Sequence, residues 1–316
     1  MVDFRYHLVS IIAVFLALAI GIVLGTTALK GPVLDDLRDH ITRLGADKRT
    51  LESDVGDLRG QVEAADDFAA SVGPGLVRGS LADQRILLVT TPETPSDLVK
   101  RVTTLLDQAG AGVTGQLRLL PALSDPDQSQ LVEDLVAEVV PAGIDLPDGE
   151  PVERATAELA AALSRPSSDA AVEVDQAQAV VSAFQEADLV QFESDGQTLQ
   201  QASLAVVLTG PAPTEALNDA QTAAQETVLF LAAALDERTR GAVVVGPSTS
   251  AADRGLVKAL RADSRLAAEV SSVDNADRGV GLVAVVLALA EQARGAVGQY
   301  GAGSGAAGPL PSPRPS

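Results

Sequence analysis

The sequence predicts an α/β protein held to a membrane: an N-terminal transmembrane helix and a coiled-coil stalk, followed by a mostly parallel, doubly wound α/β domain. Three observations carry that expectation. Residues 8–29, LVSIIAVFLALAIGIVLGTTAL, are 22 consecutive positions without a charge. Apolar residues then recur at heptad spacing for five heptads. Beyond residue 84, short β-branched runs alternate with longer helical patterns.

At about 1.5 Å per residue the uncharged stretch spans about 33 Å, which matches a hydrocarbon core of about 30 Å. A secretory signal is the rival reading, and Thr26-Thr27-Ala28 fits a cleavage site. Signal peptides, however, carry apolar regions of only about 7–15 residues, so an uncleaved anchor over residues 1–30 is expected. Ala13, Ala17, Gly21 and Gly25 recur every four residues along one stripe of this helix. Gly21 and Gly25 form a GxxxG motif, whose small residues let two membrane helices approach closely enough to dimerise.

Residues 31–72 read as the stalk. With Leu34 at heptad position a, the a positions are Leu34, Ile41, Lys48, Val55 and Val62, and the d positions are Leu37, Leu44, Leu51, Leu58 and Ala65. Branched residues at a with Leu at d favour a parallel two-stranded coil, and the single Lys48 costs stability while disfavouring other oligomers. Two anchors in one membrane also require parallel strands. Gly45, Gly56 and Gly60 weaken the helix by about 1 kcal/mol each relative to Ala. A straight helix here would hold the next domain tens of Å from the bilayer.

Gly73-Pro74-Gly75 is expected to end the stalk, and residues 73–300 to form the α/β domain. Strands are expected at 85–90, 115–120, 189–192, 204–209, 242–246 and 269–273, and helices at 95–109, 128–140, 152–163, 176–187, 214–235, 251–262 and 279–297. Runs such as AVVVG are apolar on both faces, as central strands of a helix-covered parallel sheet must be. Residues 141–152 and 164–170 read as loops around a helical insertion. The ending GAGSGAAGPLPSPRPS, residues 301–316, is poor in apolar residues and reads as a disordered tail.

Composition removes most chemistry. The chain has no Cys, so disulfides, thiolate metal sites and Cys nucleophiles are excluded. Its net charge is −20 with the acids scattered, which argues against nucleic-acid binding, since phosphate recognition needs concentrated Lys and Arg. The two histidines, His7 and His40, lie at the membrane edge and in the stalk, leaving the globular domain no imidazole for a catalytic triad or a metal. Ser248, in Pro247-Ser248-Thr249-Ser250, follows a strand but lacks the nucleophile-elbow pattern and reads as a helix N-cap. Gly110, Gly112 and Gly115 match G-x-G-x-x-G by letter, yet the motif leaves a helix and enters a strand, the reverse of a dinucleotide site. Gly279, Gly281 and Ala284 have the right local context but no later strand to carry the ribose-binding acid. No enzyme activity, cofactor or metal site is therefore expected.

One loop remains. Asp274, Asn275, Asp277 and Arg278 lie at the C-terminal end of a predicted strand, where open α/β sheets expose adaptable loops, and form a candidate docking site. The simpler account gives Asp277 the role of capping the last helix.

The N-terminal RYHLVSIIAVFLALAIGIVLGT with its heptad stalk, and the C-terminal VSSVDNADRGVGLVAVVLALAEQARGAVGQYG, resemble the actinobacterial family named after the mycobacterial copper transport protein MctB. The resemblance implies a cell-envelope protein linked to copper homeostasis and described as a channel or outer-membrane protein; SteB-like relatives are associated with cell-wall remodelling at division. The residues disagree with direct copper handling. Copper(I) prefers Cys and Met sulfur and copper(II) prefers imidazole, whereas this chain offers Met1 and two His outside the globular domain. A membrane β-barrel needs many alternating strands and aromatic girdles, and the chain is 3% aromatic. Arg5 precedes the anchor while Lys30, Arg38, Arg43, Lys48 and Arg49 follow it, which taken literally puts the stalk inside, although long domains translocate despite such charges. The resemblance implies an extracytoplasmic domain. The expectation is thus a single-pass, parallel homodimeric scaffold or regulator that presents a docking domain to a cell-wall or division partner, with a copper-homeostasis component as the alternative.

Overall fold

The computed structural model describes residues 4–28, 30–141, 144–165, 172–194, 196 and 198–311, with backbone alone between 26 and 35. Leu34 of the predicted seam, residues 166–170 of the predicted loop and the last five residues of the tail lie outside the described side chains. Two units divide the chain, residues 1–64 and 65–316.

The first unit is helical. Helix α1 (Phe4–Ala28) contains one segment, Phe4–Gly25, of 22 residues and mean hydropathy 2.9, long and apolar enough to cross a membrane. Ala13, Ala17, Gly21 and Gly25 are all on it and all exposed. Helix α2 (Lys30–Val77) carries the heptad residues. Leu37, Ile41, Leu44, Leu51, Val55, Leu58 and Val62 are between 40% and 66% exposed and form an apolar stripe open to solvent among the described residues. Lys48 pairs along its own helix with Glu52 at 3.4 Å.

Gly73-Pro74-Gly75 does not break the chain: α2 runs through Pro74 to Val77, and residues 65–77 belong to the globular unit, not to a stalk ending at 72. A proline inside a helix costs about 3 kcal/mol. Packing offsets it, because Ala69 and Val77 are buried and Gly73 lies so close to Val283 that a Cβ there would stand 2.9 Å from its methyl group.

The remaining elements, in order, are β1 (Arg85–Thr90), α3 (Ser96–Gln108), β2 (Gly112–Leu119), two 3₁₀ turns, α4 (Ser129–Val139), α5 (Pro151–Leu163), α6 (Val174–Glu186) and β3 (Val190–Glu193). There follow β4 (Leu204–Leu208), α7 (Asp219–Arg238), β5 (Ala242–Val245), α8 (Leu256–Ala262), α9 (Leu266–Glu269), β6 (Ser271–Val273), α10 (Gly279–Gln292) and β7 (Gln299–Tyr300). They form one sheet of order β3-β2-β1-β4-β5-β6-β7, parallel except for β3, which pairs antiparallel with β2.

Side chains alternate across each strand, and the two faces have separate cores. Leu87, Val89, Ala205, Val207 and Val244 meet the layer containing α4 to α8. Ile86, Leu88, Val206, Val243 and Val245 meet α3, α10 and the end of α2. Apolar residues on both faces of β1, β4 and β5 are what these two cores require.

One crossover departs from the usual hand. β1-α3-β2 and β4-α7-β5 run in opposite directions across the sheet and over opposite faces, so they share a hand. β6-α10-β7 runs in the same direction as β4-α7-β5 but over the face of α3, which gives it the opposite hand.

The predicted tail is corrected too. Residues 299–300 form β7 beside β6, and residues through 311 continue in turns, with Gly301 N donating to Gly308 O at 2.9 Å. Apolar content was the wrong criterion there, because a buried ion pair, described next, holds the segment.

Candidate functional site

The predicted docking loop joins β6 to α10, and the structure divides its residues between different tasks. Asp274 is an interior group: its side chain is 1% exposed and pairs with Arg261, 3% exposed, at 2.7 Å. Its carboxylate also accepts from the backbone N–H groups of Ala302 (2.8 Å) and Gly303 (3.0 Å). Arg261 completes the clamp by donating to Ser272 Oγ (2.8 Å), Tyr300 O (2.7 Å) and Ser304 O (3.1 Å). Asp274 therefore anchors the C-terminal segment and presents no charge to a partner, which removes it from the docking site.

Asn275 is buried with φ +66°, and its Oδ1 has no hydrogen-bond partner among the described residues. Asp277 accepts from both the backbone N–H (2.6 Å) and Oγ (2.7 Å) of Ser248. Ser248 is thus held by a carboxylate and is not a helix N-cap; Pro247 occupies that position of a 3₁₀ turn. Nor does Asp277 cap the last helix. The cap comes from Asp66 of α2, whose Oδ1 accepts from Gly279 N at 2.8 Å while Oδ2 pairs with Arg278 at 3.2 Å. Of the four predicted residues only Asp277 and Arg278 reach the surface, and both are engaged.

A different site forms where the strand order reverses. β1 and β4 are neighbours, with β2 to one side and β5 to the other, so the loops leaving their C-terminal ends diverge and open a crevice. A cleft of about 390 Å³ lies there. Leu119, Pro121, Leu123, Val228 and Leu256 supply apolar wall, and Thr91, Thr209, Asn218 and Gln221 supply neutral polar groups. Among the described residues, Glu93 and Asp125 are the charged ones that line it, and no Lys, Arg or His does.

The loops are fixed in place. Thr94 Oγ1 accepts from Thr91 N at 3.0 Å and donates to Leu208 O at 2.7 Å, tying the loop after β1 to the end of β4. A Cβ on Gly210 would lie 2.5 Å from the Glu93 carbonyl oxygen, so glycine alone admits this approach. On the opposite wall, Asn218 and Gln221 form a reciprocal capping box at the start of α7. The pattern was visible but unread: TPETP after β1 and TGPAPT after β4 are proline-stiffened loops following adjacent central strands. What the sequence did not reveal is that β1 and β4, about 115 residues apart, are neighbours at the reversal.

Among the described residues no group of three or more His, Asp or Glu is placed to hold a metal. With the geometry described, comparison with known proteins decides the family. Residues 1–311 match the family described as copper transport outer membrane protein, MctB. The chain belongs to the MctB family. It is 33% identical over 313 residues to the copper transporter MctB of Mycobacterium tuberculosis strain H37Rv, covering 97% of this chain and 98% of that protein. Against the copper transporter MctB of Mycobacterium leprae strain TN it is 30% identical over 315 residues, with the same coverage. The match spans the apolar helix, the long α2 and the α/β unit of this MctB-family chain.

Proposed function

We propose that this chain is a single-pass envelope protein that forms a parallel homodimer through α1 and α2 and presents its α/β unit, outside the cytoplasm, to an envelope partner. The observation that carries this reading is the exposed apolar stripe of α2. Seven large apolar residues at a and d spacing sit on a helix directly following a membrane-length segment. Leaving them in water forgoes burial worth about 25 cal/mol per Å², and a second copy in parallel register covers them.

Copper is the cargo that the relatives' name assigns to them. This chain's donor set does not suit it: it has no Cys, a single Met, and no His beyond residue 40. Nor does the α/β unit supply a pore, since its sheet of two- to eight-residue strands is covered by helices on both faces. A link to copper through a partner or the state of the envelope accommodates both the family name and these donors.

Because the chain has no Cys, single substitutions give unique thiols. Leu44→Cys and Leu58→Cys, at d positions, are expected to crosslink in membranes, and Arg49→Cys, off the seam, is not. Crosslinking of Arg49→Cys without the other two refutes the register. Loss of all crosslinking under oxidant refutes the dimer.

A further inference from the structure

The cleft at the reversal of the strand order has a ligand chemistry of its own, which goes beyond the dimeric scaffold. We propose that it binds a small organic cation, an amino group on an apolar body, with the Glu93 carboxylate as counter-ion.

Size and wall come first. A volume of about 390 Å³ lies within the range of small-molecule sites, and Leu, Val, Pro and Ala side chains supply the apolar part of its wall. Charge then selects. Asp125 has its carboxylate turned to its own chain, accepting from Asp127 N at 3.0 Å. Glu93 makes no side-chain hydrogen bond or ion pair among the described residues and is exposed at the cleft.

The same loops refuse anions. Phosphate and carboxylate sites are built from convergent backbone N–H groups at glycine-rich turns or helix starts. Here Pro92, Pro95, Pro211 and Pro213 remove N–H donors from both loops. At the start of α7, Asn218 already takes the N–H of Gln221, and Asp219 in the first turn offsets the positive end of the helix.

The main chain at Glu93 is also held in advance. Gly210 lets it press against the loop after β4, and the Thr94 bonds pin the loop on the other side. A ligand therefore meets a loop whose main chain is already in place, and only the Glu93 side chain remains to be ordered.

The test uses the full chain in nanodiscs of phosphatidylcholine, with saturation-transfer NMR and calorimetry. The probes are cyclohexylmethylamine, the uncharged cyclohexylmethanol and cyclohexanecarboxylate. The amine should bind in excess of its partition into empty nanodiscs, and the carboxylate should not compete. Glu93→Gln should weaken the amine about tenfold, the loss of one charge-assisted contact, and leave the alcohol unchanged. Ala224→Phe, which fills the cleft from α7, should abolish amine binding. If that variant does not fold by circular dichroism, Ala220→Phe at the exposed first turn of α7 replaces it. Equal binding of the carboxylate, amine affinity within twofold in Glu93→Gln, persistence of binding in the filled cleft, or uptake no greater than by empty nanodiscs would each overturn the proposal. Because none of these variants touches α1 or the exposed stripe of α2, failure here leaves the crosslinking test of the dimer standing.

Discussion

Replacing Glu158 should stabilise the protein, and increasingly so as the pH rises. Glu158 sits on α5, which packs against α4, α6 and α7 and is buried from Ala155 to Leu163. The residue is fully buried, and among the described residues neither carboxylate oxygen has a hydrogen-bond partner. Desolvation pushes its pKa from 4.5 up to about 8, opposed by the charge of Arg154 one turn earlier, which is itself paired to Glu133 at 2.6 Å. The folded state thus holds this proton more tightly than the unfolded chain does. Its contribution to stability is therefore fully present below pH 4.5, falls as the pH rises, and is gone above about 8. The slope between those limits is about 1.4 kcal/mol per pH unit, so about 3 kcal/mol is lost by pH 7 and about 5 kcal/mol in all.

Glu158→Leu removes both the titration and the unpaired oxygens at similar volume. Its advantage over the parent chain should grow with pH from 5 to 8 and level off beyond. Glu158→Gln should reproduce the pH trend with a smaller absolute gain, because a buried amide is still unpaired. The chain has no Trp, so urea unfolding is best followed by far-ultraviolet circular dichroism at fixed pH values. Asp236, whose pKa burial raises to about 6, titrates in parent and variant alike and cancels in the difference. A stability difference that is flat between pH 5 and 9 would refute the reasoning, since it would mean that Glu158 reaches water or a cation when folded.

Three further outcomes follow from the geometry. Asp274→Ala should cost about 3–5 kcal/mol, because it leaves Arg261 charged and buried, and should expose residues 301–311 to proteolysis; an unchanged urea midpoint would contradict that clamp. Asp66→Ala should cost about 1 kcal/mol through loss of the α10 cap, a shift that Asp277→Ala should not reproduce at that helix. Calorimetry of the full chain with copper(I) or copper(II) should show no stoichiometric micromolar site; one that survives His40→Ala would revive direct metal handling.

The sequence alone determined the elements whose cause is local or periodic. The uncharged run that begins at residue 8 falls in a helix long and apolar enough to cross a membrane, and the β-branched runs expected at 85–90, 204–209 and 242–246 became strands within a residue of those bounds. The antiparallel β3 and the two-residue β7 were beyond such reading: β3 was placed as a strand without a direction, and β7 is too short to carry a period. The Gly-Pro-Gly segment was misread because helix breaking is a local preference of a few kcal/mol, and buried contacts of Ala69, Gly73 and Val77 outweigh it.

The site was legible only in part, for a similar reason. Residue types named Asp274 and Asp277 as notable acids, but an exposed docking carboxylate and a buried clamp are the same letter. Which one Asp274 is depends on Arg261 and on the amides of residues 302 and 303, brought to it by the order of the sheet. The cleft above β1 and β4 is likewise a product of topology, since residues 93 and 210 meet only because those two strands pair. Sequence determined which segments are apolar and with what period, because burial follows composition residue by residue. Tertiary structure decided which polar groups face water, because that depends on partners far along the chain.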